Sequence, residues 1–284
     1  MQPKNDHGKD VRTFAVLGDL HGHFDRAVEL LQSVEAKTGL HADFVLQVGD
    51  LEAHRTIKDT ESMYAPHRLK QVGDFPPYGR KEKTFPTRMV FIGGNHEPYQ
   101  RLQDSSHDAE IATNIHFLGR SGEVTLQGLK IAYLTGIFDE VYFHQSPDAR
   151  RPVRGEQDFP AQRFLSCFTE TEVNVLYNVT RPDVLLVHEW PSDIVRLEDH
   201  ESLEPRHRHL RYGETGISVI RQLAEKLKPK LLFCGHMHRR YQGCLRDQNS
   251  GESMIYCLGK IDDSEDGIEF FCYSGDEIWR VNRQ

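Results

Sequence analysis

Five short apolar runs, at 14–17, 44–48, 89–92, 184–187 and 231–234, each lead straight into residues that can bind a cation. After the first comes Gly18-Asp19-Leu20-His21-Gly22, after the second Gly49-Asp50, and after the third Gly93-Gly94-Asn95-His96-Glu97. The fourth ends in His188, and the fifth runs into Gly235-His236-Met237-His238. Each run has the length of a strand and consists mostly of Val, Leu, Ile, Phe or Met. In open α/β sheets, ligands bind at the C-terminal ends of the strands, where these side chains fall. The fold has to bring those strand ends together.

Between the runs lie segments with helical spacing. Phe24, Ala27, Val28, Leu31 and Val34 fall on one helix face that Gly39 terminates. Ile217, Ile220, Ala224 and Leu227 make a second face, stopped by Pro229. A third helix is predicted over about 169–179, ended by Arg181-Pro182. Residues 122–133 alternate on either side of Gln127-Gly128 and read as a β-hairpin. Residues 254–258 and 268–273, around an acidic loop at 262–266, read as another antiparallel pair. Strand–helix alternation mixed with hairpins predicts an α/β (α+β) layered sandwich rather than a plain doubly wound sheet. Two long polar stretches, 54–83 and 139–163, follow strands and are placed to overhang a site.

Composition excludes more than it selects. No stretch approaches the roughly 18 apolar residues of a membrane span, and the first residues lack the apolar centre of a signal peptide. The expectation is a cytoplasmic chain with no membrane partner. A net charge of −8 leaves no overall footprint for nucleic acid. Local basic clusters do occur: Arg150, Arg151 and Arg154; Arg206, Arg208 and Arg211; and Arg239 with Arg240. The five cysteines form no CxxC pair and read as reduced thiols.

The donor set itself narrows the chemistry. Aspartate and histidine supply charge and imidazole nitrogen, while asparagine adds a neutral carbonyl oxygen. That mixture suits two divalent ions of the Mn, Fe, Zn or Ni kind better than calcium or magnesium. Two ions about 3.5–4 Å apart need a shared anionic ligand. Taken singly, an Asp-x-His or a Gly-Asp is more often a turn than a ligand pair. Their joint occurrence, in order and all at strand ends, is the signal.

The series GDLHG, VGD, GGNHE, VHEW and GHMH resembles the calcineurin-like metallophosphoesterase superfamily, over about residues 13–273. The resemblance implies a four-layer metallophosphoesterase β-sandwich flanked by helices, with 1–12 a flexible N-terminus and 13–284 a single domain. It implies Asp19, His21 and His238 on one metal, Asn95, His188 and His236 on the other, and Asp50 bridging both. A hydroxide between the ions would attack phosphorus in line, and His96 would protonate the leaving oxygen. The stretches 91–97, 114–119, 134–138, 187–191 and 257–261 are similar to the catalytic domain of RNA lariat debranching enzymes, which cut the 2′,5′-phosphodiester of a branched nucleotide. A phosphodiester of a nucleotide or RNA is therefore the expected substrate. His23, Arg151 and Arg154 are the expected substrate contacts.

The chain also departs from that family. Asp19 stands where cysteine is frequent, Glu189 stands where aspartate is usual, and the segment after Phe138 does not match the family's recognition loop. Two competing readings are a phosphomonoesterase or protein phosphatase, and a scaffold without turnover. Against the first, the protein phosphatases' Asp-Arg-Gly is absent, since Asp50 is followed by Leu-Glu-Ala-His. Against the second stands the complete donor set together with His96.

Overall fold

The apolar runs become strands covered on both faces. In the computed structural model, which describes residues 10–103, 105, 107–199, 216–247, 251–261 and 265–282, the chain begins with β1 (Arg12–Leu17), α1 (Phe24–Thr38) and β2 (Phe44–Gln47). Next come α2 (Pro76–Gly79), β3 (Met89–Phe91), α3 (Tyr99–Leu102), β4 (Ala109–Ala112) and β5 (Ile115–Phe117). The hairpin β6 (Ser121–Leu126) and β7 (Leu129–Leu134) leads into α4 (Glu140–Phe143), α5 (Phe159–Ser166), α6 (Glu170–Leu176) and β8 (Val184–Val187). Then follow α7 (Ser218–Leu227), β9 (Leu231–Cys234), β10 (Tyr241–Asp247), β11 (Gly251–Cys257), β12 (Ile268–Ser274) and β13 (Glu277–Arg280).

These strands form two sheets, ordered β13-β12-β1-β2-β3-β5-β4 and β10-β11-β9-β8-β7-β6. Each has a parallel centre and antiparallel edges: β1, β2, β3 and β5 run parallel in the first, and β7, β8, β9 and β11 in the second. Between the sheets lie Phe14, Val16, Phe44, Leu46 and Val90 from one side and Ile131, Tyr133, Leu186 and Phe233 from the other. Phe14 stacks on Phe44 at 5.6 Å and on Phe271 at 5.2 Å, and meets Phe233 edge-on. On the outer face of the first sheet, Ala15, Leu17 and Val45 bury against Phe24, Ala27 and Leu31 of α1. Opposite them, Ala132, Leu185 and Leu232 bury against Val173 and Leu176 of α6 and Ile220 and Leu223 of α7. The order helix, sheet, sheet, helix is the predicted four-layer α/β sandwich, and it explains why the central strands are apolar throughout instead of alternating.

One pairing differs from the sequence expectation. Strands β11 and β12 do not pair with each other. β11 lies in the second sheet, antiparallel to β10 and parallel to β9. β12 crosses to the first sheet, between β1 and β13. Both are apolar strands, so periodicity carries no information about which sheet receives them. The third helix is also shorter than expected: α6 begins at a capping box between Thr169 and Glu172 and ends at Leu176.

The two polar stretches pack on one another. Gln162 Nε2 donates to the Glu61 carbonyl at 2.7 Å, and the Arg163 guanidinium lies 4.8 Å from the Tyr64 ring. Val153, Ala161 and Leu165 bury against Tyr99, just beyond the Asn95-His96 loop. Among the described residues, no helix is long and apolar enough to cross a membrane.

Candidate metal centre

Three loops of the first sheet and two of the second meet at one end of the sandwich. Gln47, fully buried, ties two of them: its Nε2 donates to the Gly18 and Gly49 carbonyls at 3.1 and 2.6 Å, and its Oε1 accepts Gly49 N–H. Trp190 Nε1 donates to the Gly235 carbonyl at 2.8 Å, fastening the loop after β8 to the loop after β9. The backbone is held in unusual shapes here. His21, Asp50, Glu52, His236 and His238 all have positive φ, a conformation that costs energy in non-glycine residues and concentrates at functional sites.

Three donor groups converge; the third is His21, Glu52 and His96, and the other two share Asp50. One is Asp19, His21, Asp50 and His238; the other is Asp50, His188 and His236; within each group the donor atoms lie within 4.8 Å of one another. His238 Nε2 is 2.9 Å from Asp19 Oδ2 and 2.9 Å from His21 Nε2. His188 Nε2 is 3.2 Å from His236 Nδ1 and 3.5 Å from Asp50 Oδ2. The other nitrogen of His188, Nδ1, donates to the Val48 carbonyl at 2.8 Å, which leaves the Nε2 lone pair facing the cluster. Asn95 Oδ1, in the loop between β3 and α3, is buried and accepts no hydrogen bond from the described residues. Facing nitrogen lone pairs, two buried carboxylates and an orphaned amide oxygen are the partners that divalent cations satisfy. The residues fit the group.

The electrostatics carry the same strain. Burial pushes the Asp19 carboxyl up. Burial also opposes the charge on Asp50, yet His188 and His96 beside it hold that carboxyl well below the usual range. Burial works against a charged His21 as well, but its hydrogen bond to Glu52 and the nearby carboxylates push it up to about 9. His236, by contrast, is driven down to about 4 by burial and by neighbouring His188. Four acid and imidazole groups are thus forced apart within one small volume.

His96 stands beside the two donor groups that share Asp50. Its N–H donates to Asp50 Oδ1 at 2.9 Å, and its ring Nδ1 lies 2.8 Å from Glu52 Oε1. The same oxygen lies 2.7 Å from His21 Nδ1. Because a carboxylate oxygen can only accept here, both rings place an N–H on it and turn their Nε2 atoms away. Glu52 is in turn held by Glu97, whose two oxygens accept Leu51 N–H at 2.7 Å and Glu52 N–H at 3.1 Å. Burial, with Asp50 nearby, pushes Glu97 up to about 8. Neither glutamate was singled out from the sequence. The available signal was an acid two residues after Asp50, between the apolar Leu51 and Ala53, and another directly after His96.

The expected substrate contacts are not drawn into the cluster. His23 is exposed and does not cap α1; Asp74 does so instead, accepting Phe24 and Asp25 N–H at 2.6 and 3.0 Å. Arg151 is engaged by Asp158 through a bidentate pair, one bond at 2.7 Å, and Arg154 is exposed with its N–H on the same carboxylate. Arg150 is buried in a two-pronged bond to Glu172 at 2.7 Å. Arg240 pairs with Glu269. Arg206, Arg208 and Arg211 lie outside the described residues.

His54 is fully buried, with neither ring nitrogen hydrogen-bonded among the described residues. Burial pushes it from the ordinary 6.5 down to about 4. The unfolded chain therefore takes up a proton more readily, and stability is lost as pH falls from about 6.5 towards about 4. By pH 4 the loss is expected to reach roughly 3 kcal/mol. Urea unfolding of the metal-free chain at several pH values reads this. His54→Gln should remove that part of the slope, and an unchanged slope would assign the acid sensitivity to other groups.

Residues 12–240 match the family described as calcineurin-like phosphoesterase. A lariat debranching enzyme of Arabidopsis thaliana is 30% identical over 242 residues, which cover 84% of this chain and 57% of that protein. Its Homo sapiens counterpart is 30% identical over 244 residues, covering 82% of this chain and 43% of the relative. The chain thus spans about half the length of the curated relatives it matches. One solved structure superposes with a TM-score of 0.52 at 12% identity, over 96% of this chain and 100% of the other, a likeness of fold alone.

Proposed function

Because the chain belongs to the calcineurin-like phosphoesterase family, we propose that it is a two-metal phosphodiesterase acting on a nucleotide or RNA diester, the 2′,5′-linkage of a branched RNA included. The observation that carries this reading is Asp50, the one carboxylate common to two of the donor groups. In this reading residues 13–284 act as one domain. Asp19, His21 and His238 hold one cation, Asn95, His188 and His236 the other, and Asp50 both. Bound there, divalent cations of the Mn, Fe, Zn or Ni class supply charge that polarises the phosphate and lowers the pKa of a water molecule.

The chain's own groups do the rest. Glu52 accepts a hydrogen bond from His96 Nδ1–H, so that the imidazolium form of that ring presents an Nε2–H whose proton passes to the oxygen that departs from phosphorus. Asp50 fixes the His96 backbone, so the proton donor and the shared ligand keep a constant separation. His23, Arg151 and Arg154 remain candidates for the substrate's flanks, with Arg151 released from Asp158 on binding.

The test uses the metal-reconstituted chain. Bis(p-nitrophenyl) phosphate is expected to be hydrolysed faster than p-nitrophenyl phosphate, and 2′,5′-linked oligonucleotides faster than 3′,5′-linked ones. Preference for the monoester would overturn the diesterase reading, and equal rates on the two linkages would remove the branched substrate.

A further inference from the structure

Glu189 follows the donor His188 in sequence but points elsewhere. Its side chain is buried, and one oxygen, Oε2, accepts the Phe138 N–H at 2.6 Å. The other, Oε1, faces His236 Nε2 at 3.9 Å. That ring already commits Nδ1 to the cluster, 3.2 Å from His188 Nε2. A neutral imidazole that offers the Nδ1 lone pair to a cation must carry its proton on Nε2. Among the described residues, the carboxylate placed to receive that proton is Glu189.

The two donor histidines of this group therefore differ in how their far nitrogens are held. His188 has a backbone carbonyl, Val48 O, at full hydrogen-bond distance. Among the described residues, His236 has instead the Glu189 carboxylate at 3.9 Å, and contacts of this kind are often long before the ligand binds and tighten with it. Glu189 also reaches the root of the overhanging 139–163 stretch. Phe138, whose N–H it holds, packs on Phe143 and Phe168 at 5.3 and 6.0 Å, and the next residue, Asp139, caps α4 and binds Arg163 at 2.9 Å.

We propose that Glu189 is a positioning residue that accepts the Nε2 proton of His236, sets that ring for cation binding, and ties the second cation site to the base of the 139–163 stretch. This rests on the two-cation reading above. Losing a carboxylate that holds the far nitrogen of a metal-binding histidine typically changes metal affinity 10–100-fold.

The discriminating variant is Glu189→Gln, because its amide oxygen can still accept the Phe138 N–H while the negative charge facing His236 is gone. Calorimetric zinc titration of the metal-free chain is expected to show two cations in the wild type. In the variant one step should lose about 10–100-fold in affinity and the other stay nearly constant. The melting temperature of the metal-free variant should match the wild type, and ¹⁵N-histidine spectra of the zinc-loaded forms should show the Nε2–H resonance of His236 displaced. Unchanged affinities at both steps would overturn the proposal alone. So would equal weakening of both steps with a lowered melting temperature, which describes a merely structural glutamate. Fewer than two cations in the wild type would overturn the two-cation reading together with the proposal.

Discussion

His96→Ala is expected to keep both cations and lose about 10²–10⁴-fold in turnover on a nucleic-acid diester, the usual worth of a positioned general acid. The two halves of that expectation come from different atoms. The bond from His96 to Asp50 uses the backbone N–H, which alanine retains, so the shared carboxylate stays in place. The ring meets Glu52 and, edge-on, His21, and Glu52 keeps its second partner, His21, when that ring is removed. What disappears is the proton for the leaving oxygen. A nitrophenolate leaves without much help from an acid, whereas a ribose alkoxide does not. The penalty should therefore be larger on oligonucleotides than on bis(p-nitrophenyl) phosphate. Metal analysis alongside steady-state rates checks both halves, and an equal rate on the oligonucleotide would place the acid elsewhere.

Gly94→Ala is expected to be as damaging by a different route. A Cβ at Gly94 would lie 2.2 Å from Asp50 Oδ1 and 2.5 Å from His188 Nε2, well inside van der Waals contact. Neither neighbour can swing aside. Asp50 is buried and receives His96 N–H, and His188 is fully buried with Nδ1 tied to Val48. The loop must shift instead, and displacement of about 1 Å at a reacting centre costs on the order of 10²-fold in rate. Overpacking of this kind also costs about 1–3 kcal/mol of stability. The variant should thus fold, melt somewhat earlier, and bind cations poorly. Two tightly bound cations and wild-type turnover in Gly94→Ala would show that the loop has room the geometry denies it.

These two variants mark what was legible in the chain. The residues of the cluster could be picked out because each donor follows directly on an apolar strand, and strand ends are where parallel sheets gather side chains. The hairpin at Gln127-Gly128 and the stop of α1 at Gly39 were local and could be read directly. Glu52, Glu97 and Glu189 were not legible. Each acts by accepting protons from a loop or ring that its own neighbours in sequence do not reveal. The same holds for Asp74, which caps a helix that begins fifty residues earlier, and for β11 and β12, whose apolar faces would suit either sheet.

The sequence by itself therefore determined the layers and the donor chemistry, because apolar periodicity and the type of side chain at a strand end are properties of short segments. Only the tertiary structure decided which nitrogen of each histidine faces the cluster and which glutamates hold the rings. Those depend on loops from two different sheets meeting at one edge, where burial turns each polar contact from optional into required.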